Sequence, residues 1–232
     1  MKEAYERNAK TALAITTALT LFVAGYEVLT AMLHYQNGMN FFDIASFATV
    51  DMDIYCLVLI LANIIMLPWA VLLFRQSGIS MKKEIAERKT LGRDILLGLA
   101  ALSATLILSL GYAFLYTAGK TELGNSDTNA TLGTTIIKII SLVFVSGIIK
   151  EIYFRSFAKH FVGKVLGETP ALLLFNLMFA MLDWYNIGFS FFAGLIWIWA
   201  YKKSGHLISS IIAHGGANLA GFIFLIITNG VV

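Results

Sequence analysis

The sequence predicts an all-α protein, a polytopic membrane bundle of about seven transmembrane helices. The 232 residues are 58% hydrophobic and only 13% charged, which is more apolar surface than one soluble core of this size can bury. Apolar stretches of roughly twenty residues, the length that crosses a bilayer as a helix, recur along the chain. Basic residues also concentrate in alternate connections between these stretches.

Seven spans follow in order from the apolar stretches. The first has a charged segment before it and no small-residue cleavage site near its end, so it predicts a retained span and not a removed signal peptide. The fifth and sixth are short and joined only by DWYN, which predicts a tight hairpin or a pair that stops short of one surface. The predicted spans are 11–35, 55–74, 94–118, 131–157, 170–184, 187–201 and 207–228.

The basic residues predict the orientation. Lys and Arg fill the N-terminal segment and every second connection after it, whereas the alternate connections hold Lys120 beside several acidic residues. The positive-inside rule then places the N-terminus in the cytoplasm and the C-terminus outside. The net charge of +3 resides mostly in short loops, so we expect no nucleic-acid partner. Cys56 is the single cysteine, which excludes an internal disulfide.

We expect one membrane domain over residues 1–232, with three generic spans in 1–130 and the chemically informative residues in 131–232. There, Glu151 and Arg155 lie four residues apart on one helical face, as do His214 and Asn218. Lys150 points about 100° away from Glu151 on the same helix. These spacings direct charged groups toward neighbouring helices.

Asp183 adds a further charge, at the end of an apolar run in the fifth span. A charge at mid-membrane costs about 2.5–3.5 kcal/mol, so such groups face inward and toward one another. The alternative is that they only hold helices together, through contacts of about 0.6 kcal/mol on average. The residues expected to converge on one polar cavity are Lys150, Glu151, Arg155, Asp183, His214 and Asn218.

These residues lie in three short motifs that resemble those of the CPBP intramembrane peptidases. That family comprises CAAX prenyl endopeptidases and bacterial bacteriocin-processing and self-immunity proteins, also called Abi. Its motifs are E-E-x-x-x-R, F-x-x-x-H and H-x-x-x-N, in that order. The corresponding segments here are KEIYFR at 150–155, FAMLD at 179–183 and HGGAN at 214–218, and the resemblance covers roughly 136–224.

The resemblance implies an intramembrane endopeptidase, but with two departures. In family enzymes the first Glu acts as general base on a water beside the second-motif His, and the third-motif His and Asn hold that water or stabilise the oxyanion. Lys150 stands in place of that Glu, and Asp183 in place of that His. A lysine normally keeps its proton and so cannot accept one as a base. Glu151 and Arg155 match the family, as a pair interpreted as structural.

The departures leave several hypotheses open. Lys150 and Asp183 could pair as ions where the enzymes have Glu and His, giving an impaired protein that binds a membrane-associated peptide or membrane protein, as an immunity factor or regulatory scaffold. Alternatively, peptidase activity remains, with Glu151 moving slightly along its helix to act as base with His214. Asp183 and His214 could instead serve as base and partner, or hold a divalent metal.

Two further alternatives are of other kinds. Ser146 and Lys150, four apart, could form a Ser–Lys dyad. A polar intramembrane cavity would also suit a small transporter, although the sequence shows no inverted repeat. The expected partners are the lipid bilayer and a membrane-associated peptide or protein, and the expected location is a bacterial plasma membrane. The small residues Gly216, Ala217, Ala220 and Gly221 offer a face for packing within the bundle or between copies.

Overall fold

A computed structural model describes residues 78–117, 139–182 and 187–228, together with residues 136 and 137 and scattered helical residues within 3–25 and 60–75. Over this part of the chain every regular element is a helix, which confirms the all-α part of the predicted fold class. The elements in order are α1 (Met81–Ile85), α2 (Leu91–Thr117), the π-helices π1 (Ile140–Ile149) and π2 (Ile152–Val162), then α3 (Gly163–Leu166), α4 (Glu168–Met181), α5 (Ile187–Ser204) and α6 (Leu207–Thr228).

The helices occupy the positions of the last five predicted spans. The last span and α6 share the same bounds, and α2, α4 and α5 differ from their predicted spans by a few residues. Within the described residues, α2 and α6 are long and apolar enough to cross a membrane, with mean hydropathies of 2.0 and 1.5. The first two predicted spans lie mostly outside the described residues. The count of seven and the orientation stay predictions.

The fourth span is built differently from an ordinary α-helix. Its backbone takes the wider π form in two stretches, π1 and π2, and Lys150 and Glu151 lie at the junction between them. Both residues have ordinary right-handed helical dihedral angles. π-Helical turns are rare and frequently occur at functional sites. The two charged residues therefore lie where the helix is locally irregular.

The helices pack in a closed arrangement around α6. Helix α2 contacts α5 and α6, π1 contacts α6, and α4 contacts both π2 and α5. Where π1 crosses α6, a Cβ added at Gly147 would lie 2.8 Å from the Cα of Gly215, so the two backbones nearly touch. A Cβ at Gly216 would lie 2.8 Å from the Leu102 side chain. Part of the small-residue face thus packs inside the bundle.

One end of the bundle is held by the carboxylate of Glu84 on α1. It accepts hydrogen bonds from the hydroxyl of Ser156 at 2.8 Å and from the hydroxyl of Tyr201, and it pairs with Nε2 of His160 at 3.0 Å. These partners lie on π2 and near the end of α5. The connection before α2 is therefore tied to the ends of two other helices.

A second polar network lies at the same end. Asp94, in the first turn of α2, accepts from Thr90 at 2.7 Å and contacts Nδ1 of His206 at 2.8 Å. His206 lies in the short turn between α5 and α6. Arg93 donates to the carbonyl oxygen of Ser204 at 2.7 Å. The basic connections that the sequence places in the cytoplasm thus meet at one end of the bundle.

Candidate functional site

Glu151 and His214 form the centre of the candidate site. Oε1 of Glu151 lies 2.8 Å from Nδ1 of His214, and both residues are buried. The contact joins the π1–π2 junction to α6, one turn beyond the Gly147–Gly215 crossing. The sequence predicted that these two residues would converge, and they do. The catalytic role expected for this pair stays a prediction.

The second oxygen of Glu151 faces Arg155. Arg155 Nε lies 3.5 Å from Glu151 Oε2, and both side chains are fully buried. Neither atom makes a hydrogen bond within the described part of the chain, so the contact is one of charge. The carboxylate is therefore held between a guanidinium and an imidazole. The predicted pairing of Glu151 with Arg155 is present.

Arg155 is anchored by the neighbouring helices. Its guanidinium donates to Oδ1 of Asn176 at 3.2 Å and to the carbonyl oxygen of Phe154 at 3.4 Å, while Asn176 donates to the carbonyl oxygen of Phe191 at 2.9 Å. Gly194 on α5 makes room for this network: a Cβ there would collide with Asn176 Oδ1 and lie 3.1 Å from the guanidinium. Asn176 and Gly194 were not predicted, because only the packing of α4 against α5 brings them to Arg155.

Lys150 and Arg155 both approach the ring of Phe179. Lys150 Nζ lies 5.5 Å from the ring centroid and Arg155 Cζ lies 5.1 Å from it, distances typical of cation–π contacts. Lys150 is only 2% exposed. Phe179 also meets His214 edge to face, at 5.4 Å between centroids. One aromatic ring thus connects both cations to the Glu151–His214 pair.

Trp197 covers the other side of His214. The two rings are stacked, with centroids 4.0 Å apart and planes 15° from parallel. The indole Nε1 of Trp197 donates to Oγ1 of Thr105 at 3.0 Å, and Thr105 itself donates to the carbonyl oxygen of Ala101 at 2.8 Å. Neither Trp197 nor Thr105 was predicted from the sequence. One feature of the sequence could have indicated this contact: a tryptophan within a predicted span needs a buried acceptor for its indole N–H.

For the other residues predicted in the site, the structure gives the position on the helix and the burial of Asn218 and Ser146. Asn218 lies on α6 one turn after His214 and is partly buried, and Ser146 is buried on π1 one turn before Lys150. Asp183 lies outside the described residues. Its pairing with Lys150 therefore stays a prediction.

The predicted metal site involves one described residue, His214, and one residue outside the described part, Asp183. Among the described residues, no three His, Cys, Asp or Glu side chains are close enough to hold a metal ion. The predicted ligands were Asp183 and His214, and His214 already uses Nδ1 in its bond to Glu151. The nearby cation Lys150 would oppose a second cation electrostatically. Because Asp183 lies outside the described residues and Nε2 of His214 is not used in the bond to Glu151, the predicted Asp183–His214 metal site stays a prediction.

The arrangement resembles a carboxylate-oriented imidazole. When Nδ1 of His214 carries the proton, it donates to Glu151, and Nε2 keeps a lone pair that can accept a proton. Glu151 would stabilise the resulting imidazolium, as the carboxylate does in hydrolytic triads. Trp197 and Phe179 restrict the positions of the ring. The geometry therefore suits either a shielded general base or a structural polar contact.

Comparison with known families identifies a corresponding region. The family model described as Rce1-like, type II CAAX prenyl endopeptidase, matches residues 132–220. This range contains all three motifs and both residues of the central pair, and the match confirms the resemblance drawn from the sequence. No curated protein and no solved structure matches the chain.

Proposed function

We propose that the chain, whose residues 132–220 match the Rce1-like family of type II CAAX prenyl endopeptidases, is a hydrolytically impaired member of this kind of intramembrane protease. In this role it binds a membrane-associated peptide or a membrane protein in the cavity around Glu151 and His214. Such binding suits an immunity factor or a regulatory scaffold.

The charge at the first motif position carries this proposal. The family resemblance implies a carboxylate base there, and this chain has Lys150, buried against Phe179. The adjacent Glu151 is held between Arg155 and His214. Both oxygens of this carboxylate therefore already contact basic side chains in the structure. The site therefore keeps polar side chains at the motif positions without the carboxylate that the family resemblance implies at the first of them.

The proposal includes a topology. The protein is a single domain over residues 1–232 with seven spans, the N-terminus in the cytoplasm, and the whole chain in a bacterial plasma membrane. The charge alternation supports it. The meeting of the basic connections at one end of the bundle also supports it.

One observation favours a second candidate, an active endopeptidase. The Glu151–His214 hydrogen bond of 2.8 Å gives a ready pair. In such an enzyme, Nε2 of His214 takes a proton from water, the hydroxide attacks the scissile carbonyl carbon, and the imidazolium then protonates the leaving amine. Glu151 stays ionised and stabilises the imidazolium. Lys150, which packs with His214 against Phe179, stands where the family motif has a carboxylate, which is why we rank this candidate second.

A cleavage assay separates the two candidates. The wild type is compared in liposomes with Lys150→Glu, Asp183→His and the double variant, on a prenylated CAAX peptide and an unmodified transmembrane peptide. We expect the wild type to bind without cleavage, and cleavage to appear in the double variant. Lys202→Glu, a charge reversal at an exposed position outside the site, is the matched control.

Cleavage by the wild type that His214→Ala abolishes would establish the second candidate instead. Failure of the wild type to bind either peptide, together with failure of the double variant to cleave, would count against a peptide-binding cavity.

A further inference from the structure

We propose that Thr105 is a positioning residue for His214 and acts on it through Trp197. The inference rests on the proposed function in taking His214 as the centre of the site. It extends that site to α2, because Thr105 lies outside the matched residues 132–220.

A continuous set of contacts connects the side chain of Thr105 to that of His214. Thr105 donates to Ala101 on its own helix at 2.8 Å, which fixes the hydroxyl and directs a lone pair at the indole. Trp197 donates its Nε1–H to that oxygen at 3.0 Å. The indole then stacks on His214 with centroids 4.0 Å apart. Thr105, Trp197 and His214 are exposed by 0%, 3% and 2%, so solvent does not compete for these contacts.

The direction of the effect follows from hydrogen-bonding capacity. An indole has one donor and no acceptor, so its buried N–H requires a partner such as Thr105. An unpaired buried donor is costly, so without the hydroxyl the indole gains by rotating toward another acceptor. A rotated indole no longer lies parallel to the imidazole. The imidazole of His214 would then have more freedom to rotate away from Glu151.

Ser103 provides a matched control on the same helix. Its hydroxyl donates to the carbonyl oxygen of Leu99 at 3.0 Å, the same bond to the fourth preceding residue that Thr105 makes. Ser103 is exposed and lies on another part of the α2 surface. Loss of a helix-internal hydroxyl contact is therefore common to both positions, and contact with Trp197 is specific to Thr105.

Nuclear magnetic resonance of the full chain in detergent tests the proposal. Histidine ring nitrogens are labelled with ¹⁵N, and the His214 signals are assigned by their disappearance in His214→Phe. In Thr105→Val, which keeps the shape of the side chain, we expect the Nδ1 signal of His214 to move, because its hydrogen bond to Glu151 changes. The indole N–H signal of Trp197 should move upfield as it loses its acceptor.

Three further variants complete the test. Thr105→Ser keeps the hydroxyl and should restore both signals, and Ser103→Ala should leave both at their wild-type positions. Trp197→Phe removes the indole N–H that donates to Thr105, and it should also move the His214 Nδ1 signal. This variant keeps the proposal testable if Thr105→Val fails to fold.

Wild-type His214 signals in folded Thr105→Val, or in folded Trp197→Phe, would overturn the proposal. A signal change in Thr105→Ser as large as that in Thr105→Val would overturn it as well. None of these results depends on whether a peptide is bound or cut, so failure of the proposed function is distinguishable from failure of this inference.

Discussion

At the scale of single residues, the carboxylate of Glu151 contacts two basic side chains at once. One oxygen accepts from His214 and the other faces Arg155, and all three groups are buried. In a low-dielectric interior each partner depends on the other, because an uncompensated charge is expensive. The site therefore contributes to stability as well as to any chemistry.

Substitution of Glu151 by Gln tests this dependence. The guanidinium of Arg155 would keep its charge in a buried position with its anionic partner removed, so we expect a loss of about 3–5 kcal/mol in the free energy of unfolding. Urea or thermal unfolding in detergent measures it. Glu168→Gln is the control: Glu168 pairs with Lys202 at 4.0 Å on the surface, where loss of a pair costs about 1 kcal/mol or less. Equal effects from the two substitutions would contradict a buried ionic centre.

Much of this centre could be predicted from spacing. The interval of four between Glu151 and Arg155 predicts their contact, and the cost of burying charge predicts that Glu151 and His214 turn inward. Thr105 and Trp197 could not be predicted as a pair. They are far apart in sequence, and a hydroxyl on an apolar helix carries no sign of which neighbour it will meet. The same holds for Asn176 and Gly194 around Arg155.

At the scale of elements, the approach of π1 to α6 positions Glu151 against His214. A methyl group at Gly147 would lie 2.8 Å from the Cα of Gly215, which is too close for any real Cβ. Backbone cannot yield as a flexible side chain can. The two helices must therefore separate if this position acquires a side chain.

Gly147→Ala should destabilise the protein by about 1–3 kcal/mol through overpacking. It should also weaken the contact of Glu151 with His214, visible in the ring-nitrogen signals of His214. Gly111→Ala, in α2 with nothing within 4 Å of the added Cβ, is expected to be neutral or mildly stabilising, since alanine favours helix. If both variants unfold at the wild-type temperature, the close crossing is not a feature of the protein.

Helix α1 is a second element whose role can be measured. Burial alone would raise the pKa of Glu84, but hydrogen bonds and charge from His160, together with hydrogen bonds from Tyr201 and Ser156, outweigh it and lower the pKa from 4.5 to about 2. The stabilisation that this carboxylate provides is fully present above about pH 4.5. It is lost as the pH falls from there toward 2, because the unfolded chain binds the proton first.

Glu84→Gln should therefore cost about 2 kcal/mol near neutral pH, the order expected for hydrogen bonds to a charged group. The difference between the melting temperatures of wild type and variant should shrink as the pH falls below 4.5. Lys83→Ala, exposed on the same helix, should show no such pH-dependent difference. A constant difference from pH 7 to pH 3 would show that ionised Glu84 does not tie α1 to the bundle.

At the scale of the whole molecule, composition and apolar length predicted the helical class. The bounds of α2, α4, α5 and α6 follow the predicted spans within a few residues, whereas π2 continues to Val162, beyond the predicted end of the fourth span at 157. The apolar runs indicate helices directly, because a segment that crosses a bilayer must satisfy its backbone hydrogen bonds internally, as a helix does. The π form of the fourth span was not predictable. No residue pattern in π1 or π2 indicates that form.

The topology can be tested by cysteine labelling. Cys56 is first replaced by Ser. Single cysteines are then introduced by Arg88→Cys, at an exposed position in a connection predicted to be cytoplasmic, and by Thr128→Cys, in a connection predicted to be outside. A membrane-impermeant maleimide should label Thr128→Cys in intact bacterial cells and Arg88→Cys in inverted vesicles. The reverse pattern would show that the positive-inside assignment is wrong.

The account depends most on the buried pair of Glu151 and His214, and a double-mutant cycle measures it most directly. The free energy of unfolding is determined for wild type, Glu151→Gln, His214→Phe and the double variant, the phenyl ring preserving the stack on Trp197. We predict a coupling energy of about 1 kcal/mol or more, as for groups in direct contact. Additive effects, within about 0.5 kcal/mol, would contradict the pairing and with it the proposed site.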